Sequence, residues 1–490
     1  MIEELAQLGK HSLAYGLGNG FTKLVSFLAL PFLTRELIPE EYAIITVLAV
    51  FGVVYRSLFS LGLGASTGLV YFQESDSAKR PAVIGAGVFI QGLIIVVLLL
   101  ISIRYSGVIS QLVLRDADFG PLVMLYTLSA SLQLLAQPIL LDLQFRQQAS
   151  RFILLTSLTA LVSMAAILVL VIGAGHGVSG WVEGDLLGSI LLFVGAVIID
   201  RRHLSFRFHR THTGELLRLG LPLVPSAIFL FIIQCSGTYL LQWYVNREDV
   251  GIYGLGYSMG MALGLATSGF SSAWFPFFQS YIGKERDAQT VFPTVLLWYT
   301  IIFGSLCYLF VVLGKPVILL LIDTRYIDSF RIVSFTAIGQ FCIGLWSVLL
   351  PGMYFAKETH YVSVIQGITA VLVILLNFSL IPILGIEGAG LALCLGTIIL
   401  VILQHVCNVV RRYAVSIGLW SRAQALVTVL VAMATMQVAV NAYLPLAVSL
   451  LVGLMVCSGY LTLSWWVLST NEKSTIAGWT PLWLRTQQLH

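Results

Sequence analysis

The sequence predicts an all-α integral membrane protein of about 14 transmembrane helices, with two pseudo-symmetric six-helix lobes and a C-terminal helix pair. Three observations predict it. First, 58% of the 490 residues are hydrophobic, only 10% are charged, and the mean hydropathy is +0.93. A soluble chain of this length cannot bury so much apolar surface, and the long unbroken runs fit helices rather than the short alternating strands of a barrel. Second, a block in the first half returns in the second. Residues 177–192 read GVSGWVEGDLLGSILL and residues 385–400 read GIEGAGLALCLGTIIL, an offset of 208. The same offset pairs EEYAI at 40–44 with EDVGI at 248–252, and an offset of 211 pairs ELAQLG at 4–9 with ELLRLG at 215–220. Tandem halves of this kind mark a transporter whose substrate site lies between the repeats. Third, the basic residues are distributed unevenly among the loops.

In chain order the spans are expected at 11–34, 41–71, 81–104, 119–143, 152–174, 177–199, 216–245, 249–282, 289–313, 328–356, 360–382, 386–412, 417–441 and 443–469. Several exceed the roughly 20 residues a span requires and are expected to tilt or run past the bilayer. With both termini in the cytoplasm, the inner loops hold 18 of the 27 Lys and Arg residues and the outer loops 7, which fixes the orientation. The polar first ten residues predict no cleavable signal. Residues 1–200 form the expected N-lobe, 201–215 a basic cytoplasmic linker, 216–412 the C-lobe, and 413–490 an appended helix pair with a short cytoplasmic tail. The linker, within DRRHLSFRFHRTHTGE, reads first as a topology signal and second as a site for anionic lipid headgroups. Topology also explains the net charge of +4, so no nucleic-acid partner is expected. Six scattered cysteines without a CxxC pair predict neither disulfides nor zinc.

Lys23 and Arg56 remain inside the membrane. Lys23 lies roughly 16 Å from the outer end of the first helix, and Arg56 about 22 Å from the outer start of the second. A buried cation costs about 2.5–3.5 kcal/mol even on the lenient insertion scale. Two at one level make sense if they face a hydrated cavity and meet an anionic ligand; snorkelling or pairing with an internal carboxylate is the plainer reading. Through the repeat, Lys23 maps to Gln234 and Arg56 to Gly264, so one cavity wall is expected to be cationic and the other neutral. Gln234 joins the candidate anion-headgroup site, or serves as an interhelical hydrogen-bond donor. Glu183 and Asp185 map to Leu391 and Leu393, so the fold does not require them. They are candidates for proton or sodium coupling, or for balancing Lys23 and Arg56; alternatively they are acids favoured at a helix N-terminus. Asp142 is expected at the inner interface. The motifs of metalloproteases, serine hydrolases, Walker-type nucleotide sites and dinucleotide sites are missing, and the short outer loops leave no room for an extramembrane catalytic domain, so no enzyme, metal or cofactor is expected.

FLTRELIPEEYAIITVLAVFGVVYRSLFSLGLGAST at 32–67 resembles the first helix pair of the polysaccharide transporters. These are the O-antigen and exopolysaccharide flippases of the multidrug/oligosaccharidyl-lipid/polysaccharide exporter superfamily. LLRLGLPLVPSAIFLF at 216–231, EDVGIYGLGYSMG at 248–260 and the two Gly-rich blocks extend the resemblance over about 1–412. It implies transfer of an undecaprenyl-diphosphate-linked oligosaccharide across the bacterial inner membrane for surface polysaccharide biosynthesis, by alternating access of two lobes. It also implies a cationic central cavity, which Lys23 and Arg56 would supply, and membrane lipids, a polysaccharide polymerase and glycosyltransferases as partners. Many such relatives carry an Asp-Arg pair in the seventh helix, where this chain has Gly237 and Thr238. By analogy with the related lipid II flippase, the last two spans would shelter the lipid tail. Alternative readings are a multidrug/cation antiporter, which favours an acidic N-lobe, a lipid II flippase on the same fold, and a membrane glycan polymerase or ligase, which would need a large outer loop.

Overall fold

The structure is a computed structural model that describes residues 25–74, 76, 79–146, 148–201, 210–413, 423–443 and 445–468. Among these residues the regular structure is helical throughout, as the apolar runs predict. In chain order the helices are α1 (25–36), α2 (Pro39–Phe59), α3 (Leu63–Gln73), α4 (Arg80–Leu114), α5 (Gly120–Phe145), α6 (Ala149–Leu168), α7 (Gly177–Asp200), α8 (Arg210–Gly220) and α9 (Val224–Leu241). They continue with α10 (Arg247–Gln279), α11 (Glu285–Leu321), α12 (Phe330–Val348), α13 (Pro351–Phe355), α14 (His360–Leu384), α15 (Ile386–Val410), α16 (Ala423–Tyr443) and α17 (Leu446–Val467). Each predicted span holds at least one of these helices, and among the described residues 11 helical segments, some joining two of them, are long and apolar enough to cross a membrane. The two faces are named outer and inner here by the loop-charge orientation.

Two expected limits shift, each for a local reason. The second span bends at Leu61 and Gly62, whose φ angles of 48° and 68° interrupt the helix and separate α2 from α3. The seventh span breaks after Gly220, where Pro222 and Pro225 follow within five residues. Its first part, α8, lies against α3 and α4 of the first half. Leu216 is buried there, and a β-carbon at Gly62 would run into the Gly220 carbonyl.

The repeat is visible in the packing. In lipid, helices associate through close approach and hydrogen bonds rather than through the hydrophobic effect, so small residues mark the contacts. Gly180 of α7 meets Leu170, and its counterpart Gly388 of α15 meets Leu380. Gly188 meets Ser163, and Gly396 meets Val373. Gly52 of α2 meets Tyr126, and Gly260 of α10 meets Thr336. A β-carbon at any of these six glycines would clash. Thus α2 with α10 and α7 with α15 keep the offset of 208, while α5 with α12 and α6 with α14 are offset by 210.

The halves join at their outer ends. One apolar core contains Leu48 of α2 and Val182 of α7 together with Tyr253 of α10 and Ile332 of α12. Towards the inner side Val53, Ser268, Ser272 and Phe275 become exposed, so the inner halves of α2 and α10 part. The last pair, α16 and α17, docks on α11 through buried polar groups. Tyr308 Oη donates to Gln437 Oε1 at 3.2 Å, Asn441 Nδ2 to the Val311 carbonyl at 2.8 Å, and Tyr460 Oη to the Thr300 carbonyl at 2.9 Å.

Candidate substrate site and outer latch

Helix α2 positions Arg56. Pro39 occupies its first turn, and the Glu41 carboxylate accepts from the Ile38 amide at 3.1 Å, which fixes the outer start. The outer half of α2 packs on α10, and three turns further down Arg56 lies half-buried. Long helical side chains lean towards the N-terminus, and the guanidinium accordingly lies back over Gly52, beside the Tyr126 hydroxyl of α5. None of the ion pairs among the described residues includes Arg56.

The Asp185 carboxylate on α7 is within the electrostatic reach of Arg56 and accepts from Ser129 Oγ at 2.5 Å. Ser129 also bonds Ser189 Oγ at 2.8 Å, and Gln133 Nε2 donates to Ser189 Oγ at 2.8 Å. The result is a polar patch inside the N-lobe, in which Ser129, Gln133 and Ser189 surround the Asp185 carboxylate and Arg56 lies nearby beside Tyr126. Its chemistry suits an anion at the guanidinium or a small cation at the carboxylate.

Of the residues singled out in the sequence, the structure brings Arg56 and Asp185 together. Glu183 stands apart, near the outer end of α7, with its carboxylate 3.1 Å from His176 Nδ1. Gln234 is half-buried on α9 and outside the Arg56–Asp185 patch. Lys23 lies outside the described residues. Gly237 packs against Asn377, Ala389 and Tyr253, in a place with no room for a long side chain. Sequence reasoning missed Tyr126, Ser129, Gln133 and Ser189. The signal was available: Ser129 and Gln133, like Asp185 and Ser189, are four apart and so share a helix face. Asp142 lies near the inner end of α5, as expected, and is buried within the protein and paired with Arg146 at 2.7 Å.

A second set of residues closes the outer side. Asp116, in the loop between α4 and α5, accepts from Arg247 at 2.8 Å. Arg115 Nη1 donates to the Gln242 carbonyl at 2.8 Å, and Gln242 Nε2 to the Val113 carbonyl at 3.3 Å. Arg325 Nη2 donates to the Arg35 carbonyl at 2.9 Å, and the buried Tyr326 hydroxyl to the Leu37 carbonyl at 2.9 Å. Each bond crosses from one half to the other. The hydrogen bond from Arg247 holds the Asp116 carboxyl below its usual range. On the inner side an apolar groove of about 350 Å³ opens between α10 and α11, lined by Phe270, Val295, Trp298, Ile302 and Phe303. Helices α16 and α17 do not line it.

The family model for polysaccharide biosynthesis proteins matches residues 8–282, more than half of the chain. The chain belongs to that family. Solved structures give the fold. An inward-facing multidrug resistance MATE family transporter of the MOP superfamily matches at a TM-score of 0.63 and 15% identity, covering 82% of this chain and 95% of that one. The lipid II flippase MurJ, in an inward closed conformation, matches at 0.60 and 15%, covering 92% and 98%. An outward-facing MATE family transporter matches at 0.60 and 15%, covering 83% and 96%. No curated protein sequence matches. Fold and family together describe a multi-pass membrane protein of the polysaccharide biosynthesis family, with the fold that these transporters and this flippase share.

Proposed function

We propose that the protein flips an undecaprenyl-diphosphate-linked oligosaccharide from the inner to the outer leaflet of the bacterial inner membrane, for O-antigen, capsule or exopolysaccharide biosynthesis. The observation that carries this reading is Arg56, a half-buried cation within a membrane span and without an ion-pair partner among the described residues. A guanidinium there is costly unless an anion completes it, and a diphosphate accepts bidentate hydrogen bonds from Arg. Lys23 would add a second charge, and Gln234 a neutral donor from the C-lobe.

The cycle follows from the two sites. With the outer latch closed, the headgroup enters from the inner side while its prenyl tail stays in lipid. Asp185 offsets Arg56 in the empty state and competes with the diphosphate for it. Rocking of the lobes then breaks the Asp116–Arg247, Arg115, Arg325 and Tyr326 contacts and exposes the headgroup outside. No covalent bond changes, so the protein acts as a transporter rather than an enzyme. Glu183 and Asp185 are the candidates for proton or sodium coupling, and both termini would be cytoplasmic, where glycosyltransferases supply the substrate; a polymerase would use it outside.

The test is a reconstituted flipping assay with that substrate, comparing wild type with Arg56→Ala and Lys23→Ala at equal protein level. Flipping by wild type and its loss in both variants is expected. Flipping retained in both would remove the two cations from the site. Cation efflux without flipping would favour an antiporter, the reading that Asp185 keeps open.

A further inference from the structure

At the inner end of the N-lobe, where α5 meets α7, Arg146 Nη2 contacts two carboxylates, Asp142 at 2.7 Å and Asp200. Asp142 is 4% exposed and Asp200 1%. The two carboxyl groups also lie within hydrogen-bonding reach of each other. Two ionised carboxylates cannot make such a contact, because neither has a donor and their charges repel. One arginine against two carboxylates leaves one negative charge in excess, and an uncompensated buried charge is strongly destabilising. Asp200 Oδ2 is buried and without a partner, so one oxygen remains to be satisfied.

The neighbouring charges do not remove the excess. From α3, the Tyr71 hydroxyl reaches Asp142, and the Glu74 carboxylate lies 4.0 Å from His212 Nε2 of α8. From α4, Arg80 stacks on the Tyr71 ring at 5.4 Å and donates to the Glu74 carbonyl. From α6, Arg151 is engaged by Gln148. Arg201, next to Asp200, is exposed. A metal ion would need more ligands: no cluster of three His, Cys, Asp or Glu occurs among the described residues.

We propose that Asp142 and Asp200 share a single proton at neutral pH, which makes the inner end of the N-lobe a proton-binding site. The site joins the same two helices that Ser129 and Asp185 join in mid-membrane. Asp142 lies 13 residues beyond Ser129 and Asp200 15 beyond Asp185, roughly 20 Å along each axis. Loss of the proton sets two like charges across the α5–α7 contact, so proton occupancy biases the packing that supports the Arg56–Asp185 patch. The proposal stands whatever ligand that patch takes.

Infrared difference spectroscopy of the full-length protein in lipid nanodiscs, stepped from mildly acidic to mildly alkaline pH, tests it. A protonated-carboxyl carbonyl band is expected at neutral pH, lost in both Asp142→Asn and Asp200→Asn and retained in Asp185→Asn and Glu183→Gln. A band that survives both asparagine variants, or its absence from wild type, overturns the proposal. Asp200→Asn keeps the shape, and its amide donates to Asp142 in place of the proton, so folding is expected to survive. Melting temperature gives a second reading. The folded state holds a proton that the unfolded state releases in the ordinary carboxylate range, so wild-type stability falls as pH rises from that range through neutral and levels off once the folded site has also lost the proton, and the asparagine variant flattens the curve. Parallel curves for the two overturn the proposal even if the spectra are crowded, and a flat wild-type curve does so even if no variant folds.

Discussion

The two lobes share a backbone plan but differ in what they place at one level. In the N-lobe, Ser129, Asp185 and Ser189 form a hydrogen-bonded set beside Arg56. The matching C-lobe residues are Gly339, Leu393 and Thr397, and Gly339 lies against the other two. Arg56 becomes Gly264, whose empty side is filled by Gln340. Thr397 donates to carbonyls of its own helix, at 3.1 Å and 2.9 Å. The fold is therefore complete with an uncharged triple at this position. The N-lobe charges are an addition to it, and one that costs stability in a membrane.

The largest expected effect comes from forcing the C-lobe to resemble the N-lobe. Leu393→Asp places a carboxylate where Leu393 is 3% exposed and Gly339 offers no hydroxyl. An uncompensated buried charge costs about 3 kcal/mol or more, so the variant is expected to lose most of its folded yield by size-exclusion chromatography. A yield equal to wild type would show that the lobes are not as different as their residues suggest. The companion change, Asp185→Leu, copies the C-lobe residue into the N-lobe and is expected to fold.

Next in size is Arg56→Ala. Loss of a charged partner from a desolvated pair costs on the order of 2–5 kcal/mol of binding, and flipping should fall with it. Arg56→Lys keeps the charge but loses the bidentate fork, so an intermediate rate is expected. Asp185→Leu should do less and act in the opposite sense on binding. With the competing carboxylate gone, the anionic headgroup binds more tightly and leaves more slowly, so equilibrium binding rises while turnover falls. A parallel drop in both would make Asp185 a structural support rather than a counter-charge.

Most of the fold could be read from the sequence, because an apolar run of spanning length has few structures open to it and the Gly-rich repeat exposes the two-fold plan. The bend at Gly62 was hidden inside a run whose hydropathy does not change there, whereas Pro222 and Pro225 mark the break at Gly220. For the site, Arg56 was evident because a charge in an apolar run is costly wherever it does not reach water or a partner. Ser129, Gln133 and Ser189 were not, because hydroxyls and amides bond their own helix as readily as a neighbour. The pairing of Asp142 was not legible either, because closeness to a helix end does not reveal which face of the helix it occupies. The outer latch was equally hidden: Asp116 and Arg247 are 131 residues apart, and each reads alone as a loop charge.

The smallest expected effect concerns that latch, where the lobes meet instead of differing. The Asp116–Arg247 pair is exposed, so salt screens it and its share of the closed state is modest. Because the Asp116 carboxyl sits below the ordinary Asp value of about 3.9, the folded latch binds protons less readily than the open loop does. Its contribution is therefore full at neutral pH, begins to fade as pH falls through the ordinary Asp value, and is gone once pH is below the lowered value. Spin labels on the outer ends of α4 and α10 should report a small rise in the open population in Asp116→Asn at neutral pH. The charge-swapped pair Asp116→Arg with Arg247→Asp should restore the closed distance, while Asp116→Arg alone, two cations face to face, should open it further. An unchanged distance in the single charge reversal would place the closure in the apolar contacts of Leu48 and Tyr253 and leave the ion pair as a bystander.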